Sequence, residues 1–247
     1  MKTKLSRFAV PYVVWMALFV VAPILIMVIY AFSDAAGGFT FGNFVKMGMY
    51  ASVFFRSFKL AIIATLICLL IGYPISYVMS REGVRFQKIA MVLIMLPMWM
   101  NFLLRTYSWM SILENNGLLN QLFQKIGVIA AYNAIFGTDI KYFHMIGTPG
   151  AVVLGMVYNY LPFMILPIYS VIIKLDLSLV DAARDLGANT FNVFRRVILP
   201  LSMPGVLSGI TMVFVPAVST FAISQMLGGG TQMLLGDLIE QQFLGGA

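Results

Sequence analysis

The chain has 247 residues, 61% of them hydrophobic and only 10% charged, with a formal net charge of +7. A soluble fold needs roughly a quarter charged residues to cover its surface, so a water-soluble enzyme or binding domain is excluded, and the length divides instead into apolar spans of about 20 residues. The basic excess does not indicate nucleic acid, because Lys and Arg stand in short clusters at the ends of apolar runs and not along one face.

Five spans are predicted in chain order. Span one is Phe8 to Phe32, uncharged and preceded by Lys2, Lys4 and Arg7; it is too long for a signal peptide and no small-residue cleavage site follows it cleanly. Span two is Leu60 to Ser80, followed by the basic stretch REGVRFQK (Arg81 to Lys88). Span three runs from Ile89 to about Leu113, interrupted by Arg105. Span four is Gly150 to Ile173 and span five about Leu201 to Gln225. Three clusters (Lys2, Lys4 and Arg7; Arg81, Arg85 and Lys88; Lys174, Arg184, Arg195 and Arg196) hold ten of the sixteen basic residues. All three fall on one side if the N-terminus is cytoplasmic, as the positive-inside bias requires. Residues 1–55 then form an N-terminal membrane helix with an outer loop, and 56–247 the main membrane domain.

Between spans three and four, Gly117 to Phe136 places Leu118, Leu119, Leu122, Phe123 and Ile126 on one helical face. That pattern suits either an interfacial helix on the outer leaflet or a short helix packed on the bundle. After span five the stretch LGGGTQMLLGDLIEQQFLGGA is rich in turn residues and has no terminal anchor. An odd number of spans leaves the C-terminus outside, so a sixth helix beyond Ala247 is expected.

Chemistry-bearing motifs are few. The sequence contains no GxxxxGK[ST] phosphate loop, no HExxH and no clustered Cys and His. His144 stands alone near the outer end of span four and reads as structural or interfacial. Cys68 lies within an apolar run and reads as a small packing residue. No catalytic group, bound cofactor or metal is expected.

The longest mixed-charge passage is VDAARDLGANTFNVFRRVILP, Val180 to Pro200, on the cytoplasmic side. Ser178 with Asp181 matches an S-x-x-D capping box. Leu179, Ala182, Ala183 and Leu186 follow helical spacing on one apolar, small-residue face. Gly187 supplies a left-handed stop, a second short helix follows to Ile198, and Pro200 and Pro204 open the next span. The product is a compact helical projection suited to the groove of a soluble partner. A solvated connector is the plainer alternative. A DNA-binding helix-turn-helix is disfavoured, since its second helix runs into a span.

These residues resemble the EAA loop of binding-protein-dependent ABC importer permeases, whose pattern is E-A-A, three residues, Gly, nine residues, then I-x-L-P. Asp181, Ala182, Ala183, Gly187, Leu199 and Pro200 match at that spacing, with Asp181 for Glu and Val197 for Ile. The stretches GYPISYVMS, LPMWMNFLLRTYSW, VYNYLPFMILPIYS and LPLSMPG further resemble the spermidine/putrescine permeases of the B type, from about Arg56 onward. Permeases for sulfate, molybdate, ferric iron and thiamine share much of this framework. The resemblance implies an all-α, multi-span permease of the type I importer (MetI-like) kind, in the bacterial cytoplasmic membrane. It further implies that the loop 178–200, with Leu179 and Leu186 on its face, docks on an ATP-hydrolysing partner. The implied partners are an ABC ATPase dimer that uses the ATP, a sister permease, an extracytoplasmic substrate-binding protein and the lipid bilayer.

A polyamine would need carboxylates and aromatic faces. Trp99, Tyr107, Trp109, Tyr158, Tyr160, Phe214 and Phe221 offer rings on spans three to five, and Glu114, Asp237 and Glu240 are the outward-side carboxylates. Arg105 would repel a cation on the path; it is expected to snorkel, or to pair with Glu114 or a backbone carbonyl. An ion-driven secondary transporter is the alternative class. It would require intramembrane carboxylates or inverted repeats, and spans one to five carry no Asp or Glu before the outer edge.

Overall fold

The computed structural model of the chain describes residues 2–34 and 37–245, and the side chains from residue 9 onward except residue 177. The basic side chains Lys2, Lys4 and Arg7, and the end of the chain at Ala247, lie outside the described residues. The chain forms two compact units, Met1–Ser52 and Val53–Ala247. The described residues are helical apart from turns and one isolated antiparallel bridge, Ser33–Phe39.

In the first unit, α1 (Lys2–Met16), a π-helical turn (Ala17–Val21) and α2 (Ala22–Ala31) run on as one helix, and its stretch Ala9–Ala31 is long and apolar enough to cross a membrane. Pro23 explains the π turn. It has no N–H to give the Phe19 carbonyl and its ring crowds that oxygen, so the ladder widens and the Ala22 N–H reaches back to the Ala17 carbonyl. α3 (Gly42–Met47) follows, and the Asn43 amide donates to the carbonyls of Ala31 (3.2 Å) and Ser33 (3.0 Å), fixing the loop.

The second unit begins within α4 (Ala51–Arg81). α5 (Val84–Met95) passes into a 3₁₀ turn, Leu96–Trp99, and α6 (Phe102–Leu113) leaves it in a new direction. The bend is 91°. Span three is thus broken at Leu96–Asn101 and not at Arg105, which sits inside α6. Pro97 lacks the donor needed to continue α5, and the Asn101 side chain accepts from Leu103 N (2.8 Å) to start α6 afresh.

The stretch 117–136 is two helices, α7 (Leu118–Ile126) and α8 (Val128–Phe136), divided by Gly127 at φ +81°. On α7, Leu118, Leu122 and Ile126 are exposed while Leu119 and Phe123 are partly covered and Asn120 is buried. The Asn120 amide closes the loop by donating to the Phe143 carbonyl (3.0 Å) and accepting from Phe143 N (2.9 Å).

The frame of this unit is α9 (Pro149–Ile172) against α12 (Leu199–Val218). Gly205 and Gly209 lie one turn apart on α12. A Cβ at 205 would meet the Pro167 carbonyl oxygen at 2.9 Å and Ile168 Cα at 3.1 Å, so the two backbones touch. This is small-residue packing of the kind membrane helices use. Cys68, Met164, Ile168, Val206 and Val213 fill the core where α4 joins the pair.

The tail after span five is not free of anchors. α13 (Ala222–Leu227) and α14 (Leu235–Leu244) follow, and Leu235 N donates to Ser57 Oγ of α4 at 2.7 Å. Gly147 N donates to the Leu227 carbonyl at 2.8 Å, clamping the glycine run 228–230 to the start of α9. Among the described residues, four helices are long and apolar enough to cross a membrane, or five if the broken span is counted as one, by length and composition.

Candidate functional site

Two places in the second unit gather the residues singled out by sequence. They lie at opposite ends of the helices. One end holds the C-termini of α4 and α9 and the start of α12, where Tyr77, Leu175, Phe194 and Ile198 pack together. It carries Arg81, Arg85, Lys88, Lys174, Arg184, Arg195 and Arg196. The other holds Leu60, Leu113, Ala151, Ala217 and Leu234, with the carboxylates Glu114, Asp237 and Glu240 nearby in sequence.

At the basic end stands α10 (Leu177–Asp185), then Gly187, then α11 (Thr190–Val193). The capping residue of α10 is Asp176, not Ser178. A cap needs extended backbone, and Asp176 has it (φ −67°, ψ 114°), with its carboxylate accepting from Ser178 N at 2.9 Å. That hydrogen bond also holds the Asp176 carboxyl below its ordinary range. Ser178 is already inside the first turn, and Asp181 reaches only Arg184 across the surface (4.0 Å). Asn189 caps α11, its side chain accepting from Asn192 N at 2.9 Å. Gly187 has φ +81°, the left-handed stop the sequence required, and nothing lies within 4 Å of where its Cβ would be. Conformation alone selects glycine there.

The single face expected for Leu179, Ala182, Ala183 and Leu186 divides. Ala183 turns inward with Ala188 onto a small core of Val180, Val193 and Ile198. Leu179, Ala182 and Leu186 turn outward, joined by Phe191, and Leu186 is 89% exposed. A nine-residue helix with apolar side chains on two sides buries one strip and presents the other. Leu199 packs inward beside the Cys68–Met164 core, and Pro200 is exposed in the first turn of α12. The turn before it, Phe194–Ile198, is π-helical, for the reason given for Pro23.

At the opposite end, α13 and α14 enclose a cleft of about 390 Å³ lined by Asp237 and Glu240 together with Ser224, Gln225, Gln232 and Gln241. No Lys or Arg lines it. The two carboxylates differ in role. Asp237 is buried and both its oxygens are engaged, one by Ser224 Oγ (2.8 Å) and the other by Leu234 N (2.7 Å), so it caps α14. Burial raises its pKa against those two donations, and Glu240 adds to the rise. Glu240 is half-exposed and held by the Gln225 amide. Sequence reading missed Gln225, Gln232 and Gln241, because neutral amides carry no charge signal.

The rings do not form one surface. Trp109 stacks edge-on against Tyr158 at 5.3 Å, joining α6 to α9, and Phe214 meets Phe58 at 5.9 Å. The Tyr160 hydroxyl donates to the Pro216 carbonyl at 3.4 Å. Trp99 and Tyr107 are exposed and apart, Phe221 is exposed at the break between α12 and α13, and Glu114 is exposed at the end of α6. Arg105 neither snorkels nor pairs with Glu114: it is 8% exposed, its Nε and Nη1 have no hydrogen-bond partner, and its guanidinium stands 6.0 Å over the Phe102 ring. His144 Nδ1 meets Asn115 Oδ1 at 3.1 Å.

Residues 72–245 match the family model described as "Binding-protein-dependent transport system inner membrane component". The chain is 40% identical over 238 residues to the spermidine/putrescine transport system permease protein PotB of Haemophilus influenzae, covering 93% of this chain and 80% of that protein. It is 37% identical to PotB of Escherichia coli K12, covering 93% and 83%. Among solved structures it is similar in fold to a bacterial ABC transporter involved in import of the acidic polysaccharide alginate, with TM-score 0.69 at 16% identity, covering 98% of this chain and 84% of that one.

Proposed function

This chain belongs to the binding-protein-dependent transport system inner membrane components, a permease subunit of an ABC importer in the inner membrane, and from that premise we propose that its cargo is a polyamine, spermidine or putrescine. The identity to the PotB proteins over nearly the whole chain supports that cargo. So does a cleft bearing Glu240 and amides without a competing cation, suited to ammonium groups.

The observation that carries the mechanism is the outward strip Leu179, Ala182, Leu186 and Phe191 on a doubly capped loop between two spans. Apolar side chains held out on an ordered, polar projection have no use in water and fit a hydrophobic groove. Gly187 sets the angle between the two short helices that present them. In this reading the basic end faces the cytoplasm and the strip docks on the ATPase dimer, which binds and hydrolyses the ATP while this chain binds none. A sister permease completes the path, and an extracytoplasmic binding protein delivers solute to the cleft end. Closure of the ATPases moves the loop, and the path alternates its access.

Two substitutions test the docking. Leu186→Glu places a charge on the strip without touching any core, and co-purification of the ATPase and uptake of labelled spermidine and putrescine should fall together while membrane insertion persists. Gly187→Val strains the stop by about 1–2 kcal/mol and should do the same. Normal uptake by Leu186→Glu with its ATPase bound would refute the reading.

A further inference from the structure

We infer that Phe194 is the residue through which displacement of the 177–193 loop reaches α4. This inference rests on the docking reading above. The Phe194 ring is set edge-on against two tyrosines one turn apart on α4: Tyr73 at 5.7 Å and 89°, and Tyr77 at 5.8 Å and 82°. Edge-to-face pairs of this kind add about 0.5–1.5 kcal/mol each beyond the area they bury. Both contacts break if the ring withdraws.

The ring also packs on the small core of Val180, Val193 and Ile198 that carries α10 and α11, where Tyr77 of α4 lies beside it, so that Phe194 is the ring joining that core to both tyrosines. The loop and Phe194 are therefore one packed body. Tyr73 closes the arrangement from the α4 side, its hydroxyl 2.8 Å from Ser202 Oγ of α12 in a buried hydrogen bond.

The backbone offers a softer route. Phe194 is the first residue of the π turn 194–198. A π turn lies between two registers of the helical ladder, and such turns recur at functional sites. Loop motion can be absorbed there before it reaches α12. The close-packed rings have no such slack, since packed side chains move together or lose contact. The side-chain route to α4 is thus the stiffer one.

The test uses the assembled importer in lipid nanodiscs, with hydrogen–deuterium exchange compared between the nucleotide-free and the ATP–vanadate-trapped states. In the unaltered complex, trapping is expected to change exchange both in the 177–193 loop and in α4. In Phe194→Ala and in Phe194→Leu, which keeps apolar volume in the small core, the change in the loop persists while that in α4 is lost. ATP turnover continues, uncoupled from uptake. Phe194→Tyr, which keeps the ring, restores the α4 response. An α4 response that survives in Phe194→Leu overturns the inference, as does an unaltered complex whose α4 never responds. Loss of the ATPase from Phe194→Leu also overturns it, because Phe194 would then only support the docking fold. If instead the loop of the unaltered complex is indifferent to trapping, it is the docking reading that fails.

Discussion

Replacing Gly205 by Ala tests whether α9 and α12 are in backbone contact. The new methyl would stand 2.9 Å from the Pro167 carbonyl oxygen, 3.0 Å from Val171 Cγ2 and 3.1 Å from Ile168 Cα. Two of those atoms are main chain of a long helix and cannot step aside singly. Overpacking of this kind costs roughly 1–3 kcal/mol, and the better helix propensity of Ala returns about 0.8 kcal/mol, leaving a net loss of about 0.2–2 kcal/mol. Gly209→Ala is the paired comparison. Its closest neighbour is Met164 Sδ at 2.8 Å, a flexible side-chain atom, with the Met164 carbonyl oxygen next at 3.2 Å. It should cost clearly less than Gly205→Ala. The assay is already built into the chain, since its one cysteine, Cys68, is buried where α4, α9 and α12 meet. A thiol-reactive fluorophore reports its exposure as purified protein is heated in detergent. If Gly205→Ala unfolds at or above the unaltered temperature, the two helices have slack and the contact is not structural.

Asp237 should behave as a cap and not as a substrate contact. Asp237→Asn keeps an oxygen for Leu234 N and should leave uptake unaltered, whereas Asp237→Ala loses the cap at about 1 kcal/mol. The carboxyl's raised pKa means the native state holds its proton more tightly than the unfolded chain. Its contribution to stability therefore grows as pH falls from above the raised value toward the ordinary 3.8, and Asp237→Asn should abolish that part of the pH dependence in thermal scans. Uptake lost in a well-folded Asp237→Asn would put the carboxylate on the path. At Arg105, two enclosed nitrogens without partners predict that Arg105→Met stabilises the purified subunit by about 1–3 kcal/mol. A lowered unfolding temperature would show that the guanidinium has a partner after all.

The spans were legible because lipid demands long uninterrupted apolar runs: spans one, two and four are continuous helices, and span five is one as far as Val218, with an unforeseen break at 219–221 before α13. Span three was misread at its break. Composition stays apolar from Ile94 to Leu104, so Pro97 and Asn101 were the only signs, and the charge of Arg105 drew attention to the wrong residue. In the loop, Gly187 was legible from its own chemistry, since a helix stop needs a positive φ. The sidedness of Ala183 was not, because α10 carries apolar residues on two flanks and only the position of α11 decides which is covered. Asp237 illustrates the same limit from the polar side: a carboxylate three residues into a helix caps it or meets a ligand with the same letter. Phe194 gave no sign at all ahead of its two arginines, as its partners lie more than a hundred residues earlier in the chain.

The right-angled break at Leu96–Asn101 has a consequence for contact with lipid. Helix ends strand backbone groups. Here Asn101 serves Leu103 and Leu104, and Met100 N turns back to the Pro97 carbonyl at 3.2 Å. Pro97 has no N–H for the carbonyl of Leu93, an exposed residue. Hydrocarbon would charge several kcal/mol for a backbone group left orphaned, so irregular backbone of this kind belongs against protein or a water-filled cavity and not against lipid tails. The residues that spoil the helix thereby limit which face of span three can meet the bilayer.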